Sequence, residues 1–146
     1  MKLSCLQKNL LLGLSLAEKA VSKNNTLPIL GNILLETNKG RIKLSATNLE
    51  IAIVNWVGAK IVKPGSITLP AKILTSFVSS LPNKKVDLET KGVNLLVTCE
   101  NFKATIKGLP AKDFPIIPRV ESMGVLQINA PVLRRALSQV SVASSL

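Results

Sequence analysis

The feature that most constrains the fold of this sequence is an order of apolar patterns that occurs twice. A strand and a helix are followed by three strands, and the same order begins again after residue 60. The strands are marked by apolar residues with a period of two, as at Ile42, Leu44 and Ala46. Two βαβββ units therefore fit residues 1–60 and 61–110, which predicts an α+β fold.

Each unit contains one amphipathic helix. The first is predicted over residues 7–22, and the apolar stripe expected to be buried consists of Leu10, Leu14, Ala17 and Val21. The second begins at Pro70, where a missing N–H costs nothing, and ends before Pro82. Its buried face is expected to consist of Ile73, Leu74, Phe77, Val78 and Leu81.

Glycine-containing turns divide the strands that follow each helix. Lys39-Gly40 and Lys91-Gly92 are typical hairpin turns. Three short strands are predicted within residues 32–57, and three more over about 84–90, 93–99 and 101–107.

A second, longer repeat follows these two units. Three prolines between residues 108 and 119 favour a linker between domains. Beyond it, residues 126–143 align with residues 3–20 at an offset of 123. The identical positions are Leu3, Leu10, Leu14, Ser15 and Ala20, which match Leu126, Leu133, Leu137, Ser138 and Ala143. Asn129 is a suitable N-cap and Pro131 suits a first turn, so a strand followed by a helix is expected here too.

The length of 146 residues agrees with one domain plus a piece of another. We expect one complete domain over residues 1–119. The repeat predicts that residues 120–146 are the start of a second, truncated domain, as in an N-terminal fragment of a longer chain.

Compartment and redox state follow from the apolar runs and the cysteines. No apolar run approaches the length of a membrane span, so no membrane partner is expected and the cytoplasm is the expected location. Cys5 and Cys99 each alternate with apolar neighbours, which predicts two buried free thiols in a reducing compartment.

The residues offer little support for catalysis. Histidine is absent, which removes the commonest general base and the usual catalytic zinc ligand. The acids are scattered; Asp87 and Glu89 share a strand face but make a poor metal site alone. No glycine-rich phosphate loop occurs. We therefore expect no enzyme activity, no catalytic or metal-binding residues and no cofactor.

The distribution of charge suggests a polyanionic partner. Nineteen Lys and Arg residues against eight acids leave a net charge of +11. The helices hold only one acid, Glu18, and several basic residues: Lys8, Lys19, Lys72, Arg134 and Arg135. Trp56 and the three phenylalanines are dispersed, so no stacking platform for single strands is expected. The sequence favours binding to duplex DNA without sequence specificity.

Three segments resemble a known family, the bacterial sliding clamp, which is the beta subunit of DNA polymerase III. They are Thr26-Leu-Pro-Ile-Leu-Gly-Asn32, Leu44-Ser-Ala-Thr-Asn-Leu-Glu50 and Gly108-Leu-Pro-Ala-Lys-Asp-Phe-Pro115. Asn48 replaces the aspartate that is usual in the second motif. The resemblance implies the DNA-clamp fold, with two βαβββ units per domain and the helices on one side of antiparallel sheets.

The resemblance also implies a function and a set of contacts. In this family three such domains form a crescent, and two crescents close head to tail into a homodimeric ring that slides on duplex DNA and confers processivity on the polymerase. The residues expected to bind DNA are Lys8, Lys19, Lys23, Asn24, Lys72, Arg134 and Arg135. Asn24 stands where well-known members have an arginine. The expected dimer contacts are Ile73, Ala104 and Ile106.

The pocket that binds DNA polymerase III and the clamp loader lies between the second and third domains of the family. Those partners would therefore bind through parts missing from this chain. Two alternatives remain open at this point. A free-standing basic α+β module that binds nucleic acid would share the charge pattern, whereas an adaptor that uses its edge strand would not need positive helices.

Overall fold

The computed structural model describes residues 1–22, 27–118 and 126–144. The first unit consists of β1 (Lys2–Leu6), α1 (Gln7–Glu18), β2 (Asn32–Asn38), β3 (Arg41–Thr47) and β4 (Ala52–Gly58). A short strand, β5 (Lys60–Lys63), separates it from the second. The second unit consists of β6 (Ser66–Pro70), α2 (Ala71–Ser80), β7 (Lys85–Lys91), β8 (Asn94–Cys99) and β9 (Phe102–Lys107). A further helix, α3, spans Ala130–Val140.

The two units exchange their first strands. One sheet has the order β5-β1-β7-β8-β9 and the other has the order β4-β3-β2-β6. β1 therefore completes the sheet of the second unit, with Cys5 opposite Val86, and β6 completes the sheet of the first, with Ile33 opposite Leu69. All these pairings are antiparallel. The exchange makes one domain of two units that the sequence alone presents as separate.

The two sheets share a single core with α1 and α2. The inward strand positions alternate as expected, with Leu3, Ile42 and Leu95 fully buried. From the helices, Leu10, Leu14, Ala17, Leu74 and Val78 join the same cluster. The helices therefore cover one side of the antiparallel sheets, which confirms the expected fold class.

The predicted elements are confirmed with small differences in extent and burial. α1 ends at Glu18, not at residue 22, and the chain continues in turns to Ala20. On α2, Leu74 and Val78 are buried as expected, but Ile73 is 58% exposed because its position lies on the outer side of the helix. Val93 is also exposed, since it lies in the turn before β8.

The segment expected to be a linker is partly built into the domain. Leu109 forms an antiparallel bridge with Thr68 of β6, whose hydroxyl also donates to the Leu109 carbonyl at 2.9 Å. The buried amide of Asn32 donates to the same hydroxyl oxygen at 3.3 Å. Phe114 is buried as well, although it lies outside the main core. Two of the three resemblance motifs thus meet at Thr68, where they join the sheets.

The second motif, Leu44–Glu50, forms the turn between β3 and β4. Leu49 has a left-handed φ of 77°, which is unusual for a branched residue. Its N–H donates to Thr47 Oγ1 at 3.0 Å, and the next two N–H groups donate to Asn48 Oδ1 at 3.1 and 2.8 Å. An Asn oxygen accepts these bonds as an Asp oxygen would, so the replacement of Asp by Asn48 leaves the turn intact.

The remaining helix differs from the first two. No residue from 126 to 144 is buried, and Leu133, Leu137 and Val140 expose 42 to 65% of their surface. Its start at Ala130, with Pro131 in the first turn, agrees with the helix of the second repeat. The strand expected before it is not formed over residues 126–129, and the side chain of Asn129 makes no capping hydrogen bond. Among the described residues, no helix combines the length and apolar character needed to cross a membrane.

Candidate nucleic-acid interface

α1 and α2 lie side by side above the core. The buried Gln7, at the start of α1, donates from Nε2 to the backbone carbonyl of Val78 in α2 at 2.8 Å. This bond ties the two helices into one layer. Their outward positions form one surface, here called the helix surface and defined by Lys8, Ser15, Lys19, Lys72 and Ser76.

The helix surface is positive because its lysines have no carboxylate partner in the described part of the chain. Lys8, Lys19 and Lys72 are all exposed. The ion pairs in the described ranges lie instead on strands and turns: Lys2–Glu89, Lys43–Glu36 and Lys85–Asp87 at 3.2 Å, and Lys84–Glu100 at 3.9 Å. The structure thus brings three of the sequence-derived basic residues onto one layer. Glu18 is the one acid of α1 and α2, and it forms no ion pair with a described lysine or arginine.

Four of the expected DNA-facing residues are not part of this layer as described. Lys23 and Asn24 lie outside the described residues, beyond the end of α1. Arg134 and Arg135 are exposed on α3. Arg134 borders a shallow groove with Leu133 and Leu137, whereas Arg135 does not line it.

The expected dimer contacts occupy three different environments. β9 is an edge strand of the five-stranded sheet. Ala104 is half-buried on it, but Ile106 is only 6% exposed and packs in the core of its own domain. Ile73 is exposed on α2, beside Lys72 and Phe77 in a shallow depression.

Sequence reasoning missed one group of residues. Trp56 is spatially close to Asn38, Lys39 and Arg41, with which it lines a small cleft at the β2–β3 turn. These residues are 15 or more positions from Trp56 in the chain, so periodicity gives no sign of their proximity. Only the pairing of β3 with β4, which sets Lys43 opposite Trp56, could have suggested it.

The cysteines are free and buried, as expected. Burial, with a smaller contribution from the Asp87 carboxylate, raises the pKa of the Cys5 thiol to about 12. Burial also raises the pKa of Cys99. Neither side chain is a reactive thiolate near neutral pH. Within the described ranges, no group of three or more potential ligands among His, Cys, Asp and Glu could hold a metal ion.

Comparison with known proteins gives a consistent result. Residues 1–118 match the family model for the DNA polymerase III beta subunit, N-terminal domain. A beta sliding clamp from Synechocystis is 38% identical over 154 aligned positions, which cover 99% of this chain and 39% of the relative. The chain therefore spans about two fifths of the length of this curated relative.

Solved structures agree. The DNA polymerase III subunit beta from Pseudomonas aeruginosa superposes with a TM-score of 0.89 at 33% identity, covering 100% of this chain and 40% of that one. A DNA polymerase sliding clamp from Caulobacter crescentus has a TM-score of 0.78 at 36% identity, covering 82% and 33%.

Proposed function

Since this chain belongs to the DNA polymerase III beta-subunit family, we propose that it supplies the first domain of a sliding clamp and, over residues 120–146, the start of the second. The clamp encircles duplex DNA without reading its sequence and keeps the replicative polymerase on its template. Its action is topological and non-catalytic, so it needs no bond chemistry and no cofactor.

The observation that carries this proposal is the helix surface. Lys8, Lys19 and Lys72 project from one layer, and none of them is paired with a carboxylate in the described ranges. The short polar side chains of Ser15 and Ser76 lie among them, as does the exposed Leu12. Ammonium groups of this kind attract backbone phosphates without selecting a base, which suits a protein that must slide.

Further DNA contacts are proposed from residues at the margins of this surface. Lys23 and Asn24 follow α1 in sequence and would extend it, with Lys23 supplying the charge that Asn24 lacks. Of the two arginines on α3, Arg135 is the better candidate. It lies opposite the apolar stripe of Leu133 and Leu137, whereas Arg134 borders that stripe.

A head-to-tail homodimer would use the β9 edge. Ala104 and the exposed Ile73 are the proposed contacts, and Ile106 supports them from the core by fixing the strand. The charges of Lys103 and Lys107 disfavour pairing of this edge with other strands before the partner subunit binds. DNA polymerase III and the clamp loader are the proposed partners of the whole clamp, and the cytoplasm is the proposed location.

The test compares two triple variants with the same loss of charge. One variant removes the helix surface lysines by combining Lys8→Ala, Lys19→Ala and Lys72→Ala. The other removes exposed lysines of β5 and β7 by combining Lys60→Ala, Lys63→Ala and Lys91→Ala. Binding to a labelled duplex is measured by fluorescence anisotropy over a range of salt concentrations.

The helix variant should bind at least about tenfold more weakly at low salt, and its plot of log K against log salt should be shallower by about two to three, since each lost phosphate contact contributes about 0.9. The control variant should stay near the parent. Equal losses in the two variants would contradict the proposal, because net charge alone would then explain binding.

A further inference from the structure

A second basic site lies beside β4, an edge strand of the four-stranded sheet. Trp56 is the only tryptophan, and 52% of its surface is exposed. Its neighbour Val57 is buried against α1 near Gly13, so the alternation of the strand turns Trp56 outwards. With Asn38, Lys39 and Arg41 it lines a cleft of about 250 Å³.

The cleft is held in place by backbone structure. Lys39 and Gly40 form the β2–β3 turn with φ values of 37° and 77°, as in the tight hairpin turns that match strand twist. The N–H of Ala59, just beyond β4, donates to the Gly40 carbonyl at 3.0 Å. Arg41 pairs with Gly58 in the same ladder. The turn and the strand that carries Trp56 are therefore fixed relative to each other.

The charge at the cleft is positive after local pairing is taken into account. Lys43, opposite Trp56, is neutralised by Glu36 at 3.2 Å. Lys39 and Arg41 make no ion pair with a described carboxylate, and the residues that line the cleft include no acid. Two free cations thus flank an exposed indole.

We propose that this cleft binds single-stranded DNA, independently of the duplex-binding role of the helices. One base stacks on the indole of Trp56, Lys39 and Arg41 contact the adjacent phosphates, and the amide of Asn38 is placed to reach a base edge. Aromatic stacking combined with flanking cations is the usual chemistry of single-strand recognition. A duplex keeps its bases stacked internally and cannot use the indole, and an acidic peptide would use only the cations.

The intrinsic fluorescence of the chain can be used to measure binding at this site. It contains no tyrosine and one tryptophan, so its fluorescence reports on Trp56 alone. Titration with an oligothymidylate of eight nucleotides should quench this emission in a saturable, salt-dependent manner. A blunt duplex of the same length and a polyglutamate of similar charge should leave the emission nearly unchanged. Equal quenching by the duplex or by polyglutamate would overturn the proposal in favour of a general polyanion site.

Variants separate this site from its surroundings. Trp56→Leu, followed by the anisotropy of a labelled oligothymidylate, should bind roughly tenfold more weakly, and Trp56→Phe should recover part of the loss because stacking persists. Lys39→Ala with Arg41→Ala should also weaken binding, whereas the matched pair Lys60→Ala with Lys63→Ala should not. Equal losses in these two pairs would contradict the proposal.

A final variant distinguishes the two proposals. Removing Lys8, Lys19 and Lys72 should leave the quenching of Trp56 by oligothymidylate within about twofold of the parent, whatever it does to duplex binding. Loss of quenching in this variant would mean that the single strand binds the helix surface, and the separate site would be rejected.

Discussion

The two βαβββ units of the domain follow the same path, yet their last strands present different edges. β4, the edge of the first unit, carries no charged residue from Ala52 to Gly58. β9, the edge of the second, carries Lys103 and Lys107. The inward positions of the two strands are alike, since Val57 and Ile106 are both buried. Inward residues thus preserve a common architecture, and outward residues distinguish the surfaces.

The helices differ in a similar way. α1 approaches the sheet so closely at Gly13 that an added Cβ would lie 2.5 Å from Val57 Cγ2 and 2.8 Å from Leu44 Cδ1. Asn55 reinforces the contact by donating to the Gly13 carbonyl at 3.0 Å. α2 contains no glycine and has an outward side rich in serine. The contact between helix and sheet thus depends on a glycine in the first unit but not in the second, while strand exchange makes each unit depend on the other.

The largest expected effect tests that dependence. Leu14→Ala in α1 and Leu74→Ala in α2 each remove a fully buried side chain from the shared core. Each should lower the free energy of unfolding by about 2–5 kcal/mol. Because β1 and β6 are exchanged, both variants should keep a single unfolding transition, measured by urea denaturation and circular dichroism. Separate transitions for the two units would show that they fold independently and would weaken the comparison.

A smaller effect is expected at the junction of the sheets. A Cβ at Gly108 would overlap the carbonyl oxygen of Thr68, which is backbone and cannot easily move. Gly108→Ala should cost about 1–3 kcal/mol through overpacking. Gly58→Ala is the matched control, since nothing lies within 4 Å of the added carbon. The urea midpoints of the two variants are compared with that of the parent protein. Equal midpoints for the two variants would contradict close packing at Gly108.

The smallest effect concerns pH and Cys5. The pKa of this thiol is raised from 9.0 to about 12 in the folded state, so the unfolded chain releases the proton first. Its contribution to stability is complete below about pH 9 and is lost as the pH rises towards 12. At about pH 10 the loss should be about 1.4 kcal/mol.

The comparison variant is Cys5→Ala, which should lack this part of the pH dependence while the remaining titrations stay the same. Urea midpoints measured at pH 7 to 10 for both proteins would give the difference. Parallel curves would mean that Cys5 is not protonated preferentially in the folded state.

Cys5 and Cys99 are too far apart to form a disulfide. Cys99 in β8 lies two strands away from Cys5 in β1, about 9–10 Å, which is beyond the reach of a disulfide without backbone movement.

Local patterns in the sequence were sufficient to predict most elements. The period of two found the strands around Ile42 and Leu95, and the helical stripe of Leu10, Leu14 and Ala17 is buried as expected. These signals are strong because each residue faces either the core or water. Ile73 is an exception, because the apolar pattern predicts it on the buried face of α2 but the residue is exposed. An apolar residue at the margin of a stripe can lie on either side.

Long-range relations were not accessible in the same way. Nothing in the local pattern shows that β1 pairs with β7, because pairing depends on the packing of the whole domain. The same is true of the cleft at Trp56, which requires the register of β3 against β4. The prolines after residue 108 suggested a linker, yet the bridge between Leu109 and Thr68 depends on a contact 41 residues away.

The exchange of first strands also has a consequence for synthesis. β1 leaves the ribosome first, but Lys2 can pair with Glu89 only after more than eighty further residues have been made. At about 5–20 residues per second this delay is about 4–16 seconds. Until β5 has been made, with its Ile61 opposite Leu3, the apolar side chains of Leu3 and Cys5 have no strand beside them. After that, β1 has one neighbour but still lacks β7. The nascent chain is therefore most exposed to mispairing early in translation, and a pause before β7 would prolong that risk.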